Sequence, residues 1–139
     1  MFDQAGHLMA GGSEIALARI QGVNDNMQRS HYHTYFEVYY LEAGSRYHVA
    51  GDSLYQIDAG SLLVFPPFVM HHSYGETDIR FKRVVLYFTQ ECVLVPSILE
   101  RLSGQPRSYH LAGQTRASVD FMLAELARLQ DTREEYRSE

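Results

Sequence analysis

The 139-residue sequence holds a single cysteine, Cys92, so no disulfide can form within the chain. Cys92 follows Glu91 and has no basic neighbour to favour its thiolate, which makes an inert thiol the expectation. Long apolar runs are missing as well. The longest, such as "VVLYF" from Val84 to Phe88, have the length of a strand, against the roughly 20 residues that a membrane-spanning helix needs. The opening "MFDQAGHLMAGG" lacks the basic and apolar regions of a secretion signal, and together with the lone cysteine it fits a cytoplasmic location. Positive charge is scarce: 12 Lys and Arg stand against 17 Asp and Glu, a formal net charge of −5. The basic residues are scattered and form no face that could neutralise a phosphate backbone. Direct contact of this segment with nucleic acid or a membrane is therefore not expected.

What the chain does have is material for one core, with 45% hydrophobic and 12% aromatic residues in a length that suits a single domain. Six short runs rich in Val, Ile, Tyr and Phe read as strands, at 14–20, 36–42, 46–50, 53–57, 61–65 and 81–88. "AGD" at 50–52 and "DAG" at 58–60 read as hairpin turns between antiparallel neighbours. Many short strands with close turns imply a mainly β sandwich or barrel. Near residue 90 the period changes. Ser97 and Glu100 form a capping-box pattern behind Pro96, with Gly104 as a stop, which predicts a short helix. From about Thr115, Val119, Met122, Leu126 and Leu129 recur at steps of three and four, Arg133 interrupts the stripe and Tyr136 continues it. Arg128, Asp131, Glu134 and Glu135 lie off it, as in an amphipathic helix. Such a seam, about three turns long, suits packing on the barrel or pairing with its own copy about a twofold axis. The last turn, "REEYRSE", carries no stop signal, so the chain is expected to be part of a longer protein.

The stretch "HYHTYFEVYYLEAG" from His31 to Gly44 carries the chemistry. On an extended strand His31 and His33 point the same way, close enough to grip one ion. Glu37 has the same parity but lies roughly 13 Å beyond His33 on a straight strand, so it joins them only if the chain turns a corner at 34–36. In "GSLLVFPPFVMHHSYG" a strand after Gly60 is stopped by Pro66 and Pro67, and His71, or His72 with a one-residue shift, faces back toward the same region. Three imidazoles and a carboxylate suit zinc, nickel, iron, manganese or copper, with positions left open for a ligand. A hydrogen-bonded polar cluster in a barrel mouth is the alternative without an ion. Tyr39 shares the parity of Glu37 and is placed to line a cavity, its ring stacking on a ligand and its hydroxyl orienting it, or else to serve as a core tyrosine. In "RYHV", apolar Tyr47 and Val49 are assigned to the interior, which sends Arg46 and His48 to the surface.

His31, His33, Glu37 and Gly44 match the first cupin motif without a gap. Gly60, Pro66 and His71 match the second, in which Phe68 stands where many cupins have glycine and Gly75 where they have asparagine. Residues 31–92 as a whole, and the helices after Cys92 more loosely, resemble the N-terminal cupin domain of AraC-type transcriptional regulators. The resemblance implies a cupin-type double-stranded β-helix, or jelly-roll barrel, over residues 1–92. It implies a helical dimerisation segment over 93–139 that contains Val119, Met122, Leu126 and Leu129. A small-molecule effector would bind beside Tyr39, His31, His33 and His71, in a homodimer. The paired helix-turn-helix units of that family are absent from the sequence. The alternative is a stand-alone metal-dependent cupin enzyme of dioxygenase or isomerase type; a weaker one is a module that stores a ligand without signalling.

Overall fold

The structure is a computed structural model that describes residues 3–23, 26 and 29–137, with side chains as far as residue 135. The chain runs α1 (Gln4–Ala10), β1 (Ile15–Val23), β2 (Phe36–Ala43), β3 (Ser45–Ala50), β4 (Ser53–Asp58), β5 (Ser61–Phe65), β6 (His71–Tyr74), β7 (Arg80–Phe88), a 3-10 turn at Gln90–Cys92, α2 (Pro96–Leu102), β8 (Arg107–His110) and α3 (Gly113–Arg137). All strand pairings are antiparallel, in a five-stranded sheet of order β1-β7-β2-β5-β8 and a three-stranded sheet of order β4-β3-β6. The expected mainly β barrel followed by helices is thus what forms.

Strand parity sorts side chains into two cores. Tyr39 and Leu41 of β2, Leu63 and Phe65 of β5, and Phe81, Val85 and Tyr87 of β7 point between the sheets. Their alternates Tyr40, Val84 and Leu17 face outward, where Leu123 of α3 covers them, with Val119 and Leu126 packed alongside. Each fully buried side chain of this size contributes on the order of 1.5–3 kcal/mol, so both faces of the larger sheet are stabilised. Polar ties fix α3 further. Tyr40 Oη donates to Asp120 at 2.7 Å, and the Gln130 amide exchanges two 2.8 Å hydrogen bonds with the backbone of Leu17 at the free edge of β1. Among the described residues no helix is long and apolar enough to cross a membrane.

Several expectations are corrected. The "DAG" turn is not a hairpin: β4 pairs with β3 and β5 with β2, so these residues carry the chain from one sheet to the other. Gly60 there has φ +98°, and a Cβ would stand 2.8 Å from the Leu111 carbonyl oxygen, so the crossing requires glycine. The capping box does not form either, because α2 begins at Pro96 behind Val95 and has no side-chain cap; Pro96 in the first turn sets the start. Elements absent from the sequence reading are α1, β6 and β8. Asp3 caps α1 by accepting from the Gly6 N–H at 3.1 Å, and Ala5 inserts into the barrel core. β8 lies beyond residue 92, so the barrel takes in part of the segment expected to be helical.

The apolar seam of α3 is divided. Val119 and Leu126 pack on the chain's own barrel, whereas Met122 and Leu129 are exposed, as is Phe121 beside them. Tyr136, expected to continue the seam, has a side chain outside the described residues.

Candidate metal centre and ligand cavity

The corner that the HxH spacing requires is present. His31 forms an isolated bridge with His71, its N–H 2.9 Å from the His71 carbonyl and its carbonyl 2.8 Å from the His71 N–H. The chain then bends at Thr34 and Tyr35 before β2 starts at Phe36. The bend removes the separation of a straight strand. One ligand atom from each of His31, His33, Glu37 and His71 lies within 4.8 Å of every other. His72, of opposite parity on β6, turns away and pairs its Nδ1 with Ser30 Oγ at 2.8 Å.

Glu37 Oε1 lies 3.1 Å from His33 Nε2 and 3.2 Å from His71 Nε2. His71 is held from three sides: its ring stacks on Phe65 at 4.2 Å, its Nδ1 donates to the Val69 carbonyl at 2.9 Å, and its backbone pairs with His31. With the Nδ1 proton fixed on a carbonyl, Nε2 is the atom that faces the cluster. Burial opposes ionisation of Glu37, but the His33 and His71 imidazoles outweigh it and hold the carboxyl well below its usual range. Burial likewise opposes the charged form of His71, and Glu37 overcomes it and raises the ring's pKa. Burial first, then the charge of His71, pushes His31 down to about 4. His33 Nε2 is buried without a hydrogen bond of normal geometry among the described residues.

That orphaned nitrogen and the three rings facing one carboxylate are what a cation would satisfy. Four ligands about 2.1 Å from a zinc ion stand roughly 3.4 Å apart in a tetrahedron. The widest separation of 4.8 Å therefore closes by about 1.4 Å on an ion. His31 and His33 lie on an irregular segment that permits such an adjustment. The residues fit a divalent transition ion.

The cluster opens into a cavity of about 370 Å³ whose lining also includes Tyr39, His48, Ser73, Arg83 and Tyr87. The assignment of Arg46 and His48 to the surface is wrong: they are 2% and 1% exposed, and Tyr47 and Val49 turn outward instead. Register explains it. His48 pairs with Ser73 and Ala50 with His71, so once His71 points inward, parity along β3 carries Ala50, His48 and Arg46 inward too. Tyr47 stacks on Tyr74 at 5.1 Å on the outer face. The Arg46 guanidinium lies 4.2 Å over the Phe81 ring and donates to Ser73 Oγ at 3.3 Å. Gly75 leaves it room, since a Cβ there would stand 2.8 Å from Arg46 Nη1, which gives a reason for glycine where the second motif often has asparagine. At the other departure, Phe68 adopts φ +68°, a left-handed conformation that glycine adopts without strain. Gly44 of the first motif has φ +92°, and a Cβ there would overlap the Arg80 carbonyl.

Comparison with solved structures finds a cupin protein from Bacteroides fragilis at 12% identity, TM-score 0.54, covering 70% of this chain and 82% of that one. ToxT from Vibrio cholerae matches at 10% identity and TM-score 0.61, over 80% of this chain and 48% of that one. ToxT bound to (E)-4-(8-methylnaphthalen-1-yl)but-3-enoic acid matches at 10% identity and TM-score 0.62, covering 81% of this chain and 48% of that one. This chain thus spans about half of ToxT, and the likeness is one of fold: a cupin-type jelly roll followed by helices. No curated protein matches the sequence. The model of the AraC-like ligand binding domain matches residues 14–138, and the chain belongs to that family.

Proposed function

We propose that the chain is the small-molecule-sensing and dimerisation part of an AraC-type transcriptional regulator, its effector entering the cavity beside His31, His33, Glu37 and His71. The observation that carries this reading is the alternation along β2. Glu37 and Tyr39 line the cavity, while the next residue, Tyr40, is hydrogen-bonded to Asp120 of α3 at 2.7 Å. A ligand that displaces β2 therefore acts on α3 through one residue step. It shifts the equilibrium between helix arrangements only if it binds them with different affinity. DNA binding belongs to a domain outside this chain. The four clustered residues would hold zinc, nickel, iron or manganese, and the ion would offer an open coordination position to an oxygen of the effector. A stand-alone cupin enzyme would use the same cluster; sustained product formation from candidate substrates with dioxygen, lost in His31→Ala, would favour it.

Self-association is assigned to the exposed side of α3, at Met122 and Leu129, with Val119 and Leu126 supporting the helix from the barrel side. The two sides predict different variants. Met122→Glu is expected to weaken a dimer about tenfold or more by placing a charge in the interface, with the melting temperature of the barrel unchanged. Leu126→Glu is expected to lower the melting temperature, because its charge enters the helix–barrel contact. Sedimentation with circular dichroism separates them. A wild-type chain that stays monomeric at high concentration, or a Met122→Glu dimer of undiminished affinity, would place the subunit contact elsewhere.

A further inference from the structure

The cavity holds a second group of side chains besides the His–Glu cluster. Tyr39 is its centre: the His48 ring meets it edge-on with centroids 4.2 Å apart, and the Arg83 guanidinium carbon lies 5.4 Å from its centroid. His48 is 1% exposed, yet neither of its ring nitrogens has a hydrogen-bond partner among the described residues. Burial pushes this ring down to about 3, so it is neutral at ordinary pH and offers one N–H donor. Arg83 makes no ion pair among the described residues. Buried polar groups are almost always satisfied by protein, water or ligand, so a fully buried imidazole facing a cavity marks a place where something polar sits.

The carboxylates already in the cavity are committed. Glu37 faces His33 and His71, and Asp3 both caps α1 and accepts the Tyr87 hydroxyl at 2.8 Å. What remains uncommitted among the described residues is mainly donors: the Arg83 fork, the His48 N–H and the Tyr39 hydroxyl. We propose that this layer recognises the carboxylate of a small organic acid, with Arg83 taking it in a forked pair of hydrogen bonds, His48 donating a further one, and the Tyr39 ring packing against the ligand's body. A planar, singly charged carboxylate matches the guanidinium fork. A phosphate dianion would bring twice the charge beside Glu37 and Asp3. The inference rests on the reading of the cavity as an effector site and adds the chemical class of the effector.

The test uses chelator-treated full chain, so that no bound ion can hold the probes. Hexanoate, benzoate and 4-phenylbutanoate are titrated by calorimetry and thermal shift beside their carboxamides and phenyl phosphate. At least one of the acids is expected to bind saturably and its carboxamide at least about tenfold more weakly, with Arg83→Gln and His48→Phe each reducing the acid's affinity about tenfold or more. Arg83→Lys is expected to recover part of it, which a merely structural loss would not show. Carboxamides or phenyl phosphate binding as well as the acids, or an unchanged affinity in Arg83→Gln, would overturn the carboxylate while leaving a small-molecule site in place. No binding by any of the probes at millimolar concentration would overturn both the carboxylate and the effector reading on which it rests.

Discussion

Chelator-treated protein is expected to take up about one divalent transition ion per chain, and His71→Ala to weaken that uptake at least about a hundredfold. His71 is the ligand most firmly placed before any ion arrives, through its stack on Phe65, its hydrogen bond to the Val69 carbonyl and its backbone pairing with His31. Losing it removes a nitrogen ligand and leaves the buried Glu37 carboxylate with one fewer imidazole beside it. An ion that binds only the folded chain also stabilises it, by about 2.7 kcal/mol at a hundredfold excess over its Kd, or roughly 10 °C for a domain of this size. Elemental analysis and thermal shift check both results. Ion content at background after incubation with zinc, nickel, iron and manganese would leave the cluster as a polar scaffold only.

The second large effect is on acid stability. His48 has a folded pKa pushed down to about 3, chiefly by burial, against about 6.5 in the unfolded chain. Between these values the unfolded chain binds the proton and the folded chain does not, so stability falls as pH drops below about 6.5 and goes on falling to about pH 3. At pH 5 this group alone costs about 2 kcal/mol. His31, lowered to about 4, acts in the same sense over a narrower range. Glu37, held below its usual range, contributes stability above the ordinary carboxylate pKa that is lost only at more acid pH. His48→Phe keeps the ring and its packing and removes the titration. Unfolding free energies from denaturant titrations at pH 7 and pH 5 are therefore expected to differ by about 2 kcal/mol more in the wild type than in His48→Phe, which keeps the opposing contribution of His71, raised by Glu37. Parallel curves would mean that the ring takes up its proton in the fold.

The four residues that converge as a candidate metal cluster could be read from the sequence because their information is local. HxH fixes a shared parity, and Glu37 demands a corner that the bend at Thr34 and Tyr35 supplies. The strands were legible for the same reason, since Val, Ile, Tyr and Phe in short runs leave few options. Arg46 and His48 were not, because hydrophobicity alone sends them outward. Only the pairing of β3 with β6 reverses the choice, and β6 is a four-residue polar strand, "HHSY", that carries no strand signal of its own. The stripe on α3 was visible as a stripe, but which of its members meet the barrel depends on the position of Leu123, Tyr40 and Leu17 in three dimensions. α1 was missed because seven residues interrupted by Gly6 are too short to form a helix on their own. Its cap and the burial of Ala5 in the barrel make up for it.

Occupancy of the cavity is expected to be felt at α3 through β2. Amide hydrogen exchange of the full chain, with and without whichever acid or carboxamide probe raises its melting temperature most, tests it directly. Exchange is expected to change in β2 and β3 around Tyr39 and His48 and also along α3 between Asp120 and Gln130, and Tyr40→Phe is expected to reduce the change in α3 while leaving probe affinity unaltered. Protection confined to the cavity strands, with α3 exchanging identically in both states, would contradict it.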